Sequence, residues 1–121
     1  VDEIALAAVL PERASGLVRW GRCKLMHRAG EFASASALAL QGADGQWACW
    51  LGAIDPGPLA LPATAARLPA AGGPTPARRD IAASALDEIL AARPHIDPLA
   101  ASRHAQAMAR AVEQAWQGVT A

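Results

Sequence analysis

At 121 residues, with 11 basic and 11 acidic side chains, the chain is long enough for one domain with a single core and has no formal net charge. Neutrality argues against nucleic acid or an anionic membrane as the main partner, because both call for a basic excess. No apolar run approaches the ~20 residues that span a bilayer. The opening segment lacks a basic n-region and an initiator Met, so it reads as a point inside a longer chain and not as a secretory signal. Residues 4–10 then form a short apolar run, expected to be a strand that stops at Pro11, where the ladder donor is lost. Residues 12–16 read as a loop. Residues 17–26 alternate as a second strand, with Trp20, Arg22, Lys24 and Met26 on one side; Gly21 weakens a helical reading.

The organising stretch runs over residues 24–54. A small-residue strand at about 32–41 is followed by Asp44-Gly45 and a second apolar strand at about 46–54. Asp-Gly between two such runs signals a hairpin, since Gly takes positive φ without steric cost. Ser34, Ser36, Leu38 and Leu40 share one face; Ala33, Ala35, Ala37 and Ala39 share the other, which suits close packing against a helix or another subunit. Residues 55–62 hold three prolines and read as a rigid extended connection. Residues 63–68 are expected to form one or two helical turns, and 70–74 a Gly/Pro linker.

Two longer helices follow. Thr75 and Pro76 suggest an N-cap and a first-turn proline, before an apolar stripe of Ile81, Ala85, Leu86, Ile89 and Leu90 that ends at Pro94. Asp97-Pro98 repeats the start signal, and Ala105, Met108, Val112, Ala115 and Trp116 form the stripe of the last helix, which stops near Gly118. Strands at about 4–54 and helices at about 63–118 make an α+β domain: an antiparallel sheet of three to four strands followed by helices on one face.

Chemistry-bearing residues are sparse. His27, His95 and His104 are scattered with no zinc-ligand spacing, which points to surface or capping roles for His95 and His104. Glu31 beside Arg28 reads as a solvated ion pair, and Trp20, Trp47 and Trp50 as core or interface mass. Gly72-Gly73 has no strand before it, so it is not a phosphate loop. Cys23 and Cys49 read as unpaired thiols of a cytoplasmic domain.

The run Lys24-Leu-Met-His-Arg28-Ala-Gly30-Glu31-Phe32-Ala33, followed by an alanine-rich strand, a Gly/Asp turn and a strand ending Gly-Ala-Ile-Asp-Pro, resembles a known domain. It is similar to the C-terminal domain of the FAD-binding (medium) subunit of molybdenum hydroxylases, the carbon monoxide dehydrogenase and xanthine dehydrogenase family. Glu3-Ile4-Ala5-Leu6 before Val9-Leu10-Pro11 matches the strand by which that family's chain leaves its flavin domain. The resemblance implies a flavoprotein domain within a molybdopterin-dependent oxidoreductase, in which electrons pass from a molybdenum centre through iron-sulfur clusters to FAD. It implies that FAD is held mainly by preceding domains and that the partners are those domains and the molybdopterin and iron-sulfur subunits. It implies that Lys24 and the backbone of Ala5 lie near the flavin, and that His27, Arg28, Gly30, Glu31 and Phe32 form a loop on the flavin and acceptor side. The competing expectation from residues alone is a freestanding interaction or dimerisation module with no cofactor, consistent with zero charge and a small-residue strand face.

Overall fold

Period-two alternation places small side chains on one face of a sheet, and that face decides how closely the helices approach. The structure, a computed structural model, describes residues 17–26, 34–69 and 74–117. The strands β1 (Leu17–Leu25), β2 (Ala35–Gly42), β3 (Trp47–Gly52) and β4 (Leu59–Ala60) pair antiparallel in the order β1-β2-β3-β4. Helices α1 (Pro62–Ala66), α2 (Arg78–Ala92) and α3 (Pro98–Trp116) follow, giving the expected α+β architecture.

The hairpin between β2 and β3 turns where Asp44-Gly45 signals it. Gly45 has φ 82°, its N–H donates to the Gly42 carbonyl at 3.0 Å, and the Asp44 carboxylate accepts from the Gln46 N–H at 3.0 Å. An Asx-type contact and a left-handed glycine are the two features that close such a turn.

On the covered face Gly21 pairs with Ala39, Cys23 with Ala37 and Leu25 with Ala35. All three alanines are buried. The lack of bulk lets α3 approach until its backbone meets the strand: a Cβ on Gly21 would lie 2.0 Å from the Ala111 carbonyl oxygen and 2.6 Å from the Ala115 nitrogen. The alanine face therefore packs on a helix of the same chain. The expected α3 stripe is buried at Ala105, Met108, Val112 and Ala115 and half-buried at Trp116. Ala101, Ala107, Ala109 and Ala111 are buried too, because α3 has the sheet on one side and α2 on another. Asp97 caps α3 as expected, accepting from the Ala100 N–H at 3.0 Å.

Three local expectations need correction. Thr75 and Pro76 do not begin α2; the helix starts at Arg78 after an extended Ala77, with no side-chain cap. The proline-rich connection contributes the short edge strand β4, which pairs Leu59 and Ala60 with Leu51 and Trp50 between flanking prolines. His104 is not a surface residue but is buried in α3, whereas His95 is exposed as expected. The expected strand at residues 4–10 lies outside the described residues.

The α1 turn is held from another element. Glu88 of α2 accepts from the Ala63 N–H, the Thr64 N–H and the Thr64 hydroxyl, each at 2.8 Å. One carboxylate thus satisfies two amide donors at a helix start that no local cap serves. Trp47 stacks on Trp116 with ring centroids 5.4 Å apart, the Arg19 guanidinium lies 5.2 Å from the centroid of the Trp116 ring, and the Trp47 indole N–H donates to the Pro69 carbonyl shortly after α1. This resolves the tryptophans by position: Trp47 is core, while Trp50, three residues on, faces the opposite way.

Candidate functional site

The side of the sheet away from the helices carries the cations singled out in the sequence. Alternation along β1 turns Arg22 and Lys24 outward, both exposed, while Gly21 is buried beneath α3. Pairing then sets Arg22, Leu38, Trp50 and Ala60 in one row across the four strands. Lys24, Ser36 and Gly52 form the next row. Trp50 is 44% exposed, an unusual position for an indole with no partner protein over it.

The second row is shallow because its central members are small. Ser36 and Gly52 are in close contact, so that a Cβ on Gly52 would meet the Ser36 hydroxyl at 2.6 Å. Between the taller Lys24, Arg22, Trp50 and Pro58 this leaves a concavity of about 770 Å³. Its described lining includes two cations and no acidic side chain. An apolar indole beside two positive charges suits a flat, electron-rich or anionic group better than a cation.

The outer edge of β1 is tied to the last helix: the Arg22 N–H donates to the Gln114 side-chain oxygen at 2.7 Å. That bond holds the strand carrying both cations against α3, so the position of Lys24 is set by a rigid element.

The predicted site residues separate sharply. Lys24 stands on the open face, one pair from the end of the hairpin where Leu25 meets Ala35. There the Ser34 N–H and hydroxyl both donate to the Leu25 carbonyl, at 2.7 and 3.0 Å. Those bonds bring together the two ends of the segment containing His27, Arg28, Gly30, Glu31 and Phe32, so Lys24 lies on the strand that leads into it. The five residues of that segment, and Ala5, lie outside the described residues. Arg22 and Trp50 were not singled out as site residues. Their signal was available in the alternation of β1 and in the three-residue spacing of Trp47 and Trp50, which must point to opposite faces of one strand.

The remaining candidates are structural. Cys23 and Cys49 are free thiols on different strands. Burial, with the Glu88 charge adding to it, pushes the Cys49 thiol up to about 12, so it is an inert core group and not a nucleophile. Among the described residues no group of three or more His, Cys, Asp or Glu could hold a metal ion, and no helix is long and apolar enough to cross a membrane.

This combination of meander sheet and covering helices has a solved counterpart. A structure titled carbon monoxide dehydrogenase from Hydrogenophaga pseudoflava, lacking the Mo-pyranopterin moiety of the molybdenum cofactor, superposes with a TM-score of 0.63 at 22% identity over 88% of this chain. The chain has a carbon monoxide dehydrogenase-like fold. It spans 39% of the length of that solved chain. No protein-family model matches the sequence, and no curated protein does.

For FAD, the cofactor that the sequence resemblance implies, the described residues fit in one respect. Lys24 is an exposed cation on a concave, apolar-walled face, as a group facing a ring that gains negative charge has to be. Among the described residues no glycine-rich helix start is present for the phosphates of a dinucleotide.

Proposed function

We propose that this chain is the C-terminal domain of the FAD-containing subunit of a molybdopterin-dependent oxidoreductase, where it covers the flavin and helps to dock partner subunits. The observation that carries the reading is the position of Lys24: exposed, beside Arg22 and Trp50, on the sheet face that the domain's own helices leave open. The carbon monoxide dehydrogenase-like fold and the matching corner at residues 24–33 support it from independent directions. In that setting electrons arrive from a molybdenum centre through iron-sulfur clusters, and the preceding domains of the same chain hold most of the cofactor.

FAD, when bound, supplies reversible electron acceptance at its isoalloxazine ring. The work of this domain is electrostatic and steric. Lys24 holds a positive charge on a strand whose position Gln114 fixes, so little reorganisation is needed when charge develops near it. Once a flavin domain covers the face, Leu38 and Trp50 offer it apolar surface, and the water displaced there lowers the local dielectric and strengthens the effect of the ammonium. By the sequence resemblance, His27, Arg28, Gly30, Glu31 and Phe32 are assigned to the flavin and acceptor side and Ala5 to the surroundings of the ring.

The decisive experiment is a flavin midpoint potential in the longer protein that contains this domain. Lys24→Ala removes a charge-assisted interaction of on the order of 1–3 kcal/mol from the reduced state. At ~30 mV per 1.4 kcal/mol for a two-electron couple, the potential falls by some tens of millivolts. Arg22→Ala, one row away on the same face, moves it less. An unchanged potential in Lys24→Ala, or an equal fall in both variants, removes Lys24 from the flavin's surroundings.

The exposed Trp50 favours a second reading, a freestanding interaction or dimerisation module with no cofactor. The coding sequence upstream decides between them: flavin-binding sequence there supports the flavoprotein, and a reading frame beginning close to Val1 supports the module.

A further inference from the structure

A separate cavity of about 550 Å³ lies between the chain after β3, the α2–α3 connection and the first turns of α3. Its size is within the range of small-molecule sites. One wall is the His104 side chain, which is only 3% exposed and whose Nδ1 is buried with no hydrogen-bond partner. Buried polar atoms in folded proteins nearly always find a partner, so the imidazole has hydrogen-bonding capacity that the protein itself does not use. Burial pushes the imidazole below the ordinary histidine range, and the ring is neutral at physiological pH.

The rest of the lining selects the charge of an occupant. Asp55 and Asp97 oppose an anion, while Arg93 and the start of α3 oppose a cation. Arg93 is moreover engaged as a strut, with Nε donating to the Asp55 carbonyl at 3.0 Å and Nη1 to the Ala92 carbonyl at 3.2 Å. Asp97 is engaged as the α3 cap. Ile54 and Ile96 supply apolar wall. An uncharged molecule with an apolar body meets all of these conditions. A neutral imidazole has one donor and one acceptor nitrogen, and a hydroxyl can give or take a hydrogen bond, so an alcohol suits either tautomer.

We propose that this cavity binds a small uncharged alcohol or phenol, with its hydroxyl hydrogen-bonded to the His104 imidazole and its apolar body against Ile54 and Ile96. The site lies apart from the Lys24 face, and its existence does not depend on the flavoprotein reading.

Phenol is the probe, titrated into the isotope-labelled 121-residue chain at neutral pH, with NMR detection of the His104 ring nitrogens and the Ile54 and Ile96 methyls. Saturable shifts at all three residues are expected. Benzene, which has the same body and no hydroxyl, binds about tenfold more weakly, the value of one modest hydrogen bond. Ala100→Leu fills the cavity from the α3 turn that precedes the imidazole and abolishes the phenol shifts; Ala92→Leu, at the exposed rim and on a different helix from the imidazole, serves if that variant fails to fold. The proposal is overturned by an absence of saturable shifts up to tens of millimolar phenol. It is overturned equally by benzene binding as tightly as phenol, or by shifts that persist in the filled variant.

Discussion

On its covered face the sheet presents Gly21, Ala37 and Ala39, and α3 comes so near that its backbone touches β1. On the open face β1, β2 and the neighbouring β3 carry Arg22, Leu38 and Trp50, with Arg22 and Trp50 exposed to solvent. Adjacent residues of one strand therefore work under opposite constraints. The covered face gains its dispersion energy from close packing on α3, and at Gly21 it leaves no room for an added atom. The open face contributes little to folding, and its side chains are free to be chosen for what they meet.

The sharpest way to break this contrast is Gly21→Ala. A single methyl would have to displace helix backbone, and a loss of roughly 3 kcal/mol is expected, at the upper end of overpacking penalties. Urea titration measures it, and a loss below about 1 kcal/mol would mean that α3 can shift outward freely. Next in size is Glu88→Ala, which uncaps α1 from a distance. About 1–2 kcal/mol should be lost, the usual value of a helix cap. Thr64→Ala, which removes one of the three bonds to Glu88, should cost less.

A third effect is a slope. Burial lowers the His104 pKa below its unfolded value, so the unfolded chain binds the proton more readily. Stability is then fully present above the unfolded pKa of about 6.5 and declines as pH falls from there toward the folded pKa. His104→Gln should flatten that part of the profile. Smallest of all, Lys24→Ala and Trp50→Ser on the open face should change stability by no more than about 0.5 kcal/mol. A large loss in either would place that side chain in the core after all.

The covered face was legible because its signal is local. The alternation of alanine with larger residues, Asp44-Gly45 and the Asp97-Pro98 cap each follow from a few neighbouring residues, and each formed as read. What was not legible depends on distant partners. The start of α1 depends on Glu88, 24 residues beyond Thr64, and its own sequence holds no cap. Likewise β4 exists because Leu59 and Ala60 find an open edge on β3, which no propensity of that proline-rich stretch encodes. The burial of His104 was hidden because the arc of α3 that meets neighbours is wider than a single amphipathic stripe. At the candidate site, Lys24 was visible through its motif and its alternation, but the row that joins its neighbour Arg22 to Trp50 depends on strand register across three strands.

The bond from Arg22 to Gln114 joins residues 92 apart in sequence, between the first described strand and the final helix. The sheet can assemble hairpin by hairpin as the chain leaves the ribosome, but its alanine face stays wet until residues 98–116 have been made. Contacts of such long range are the slow ones to form, because a large loop must close before they give anything back. A nascent or truncated chain ending before α3 would expose a flat strip of small apolar side chains along β1 and β2, a surface suited to self-association. Completion of the core is thus a late event in synthesis, timed by the position of one helix in the gene.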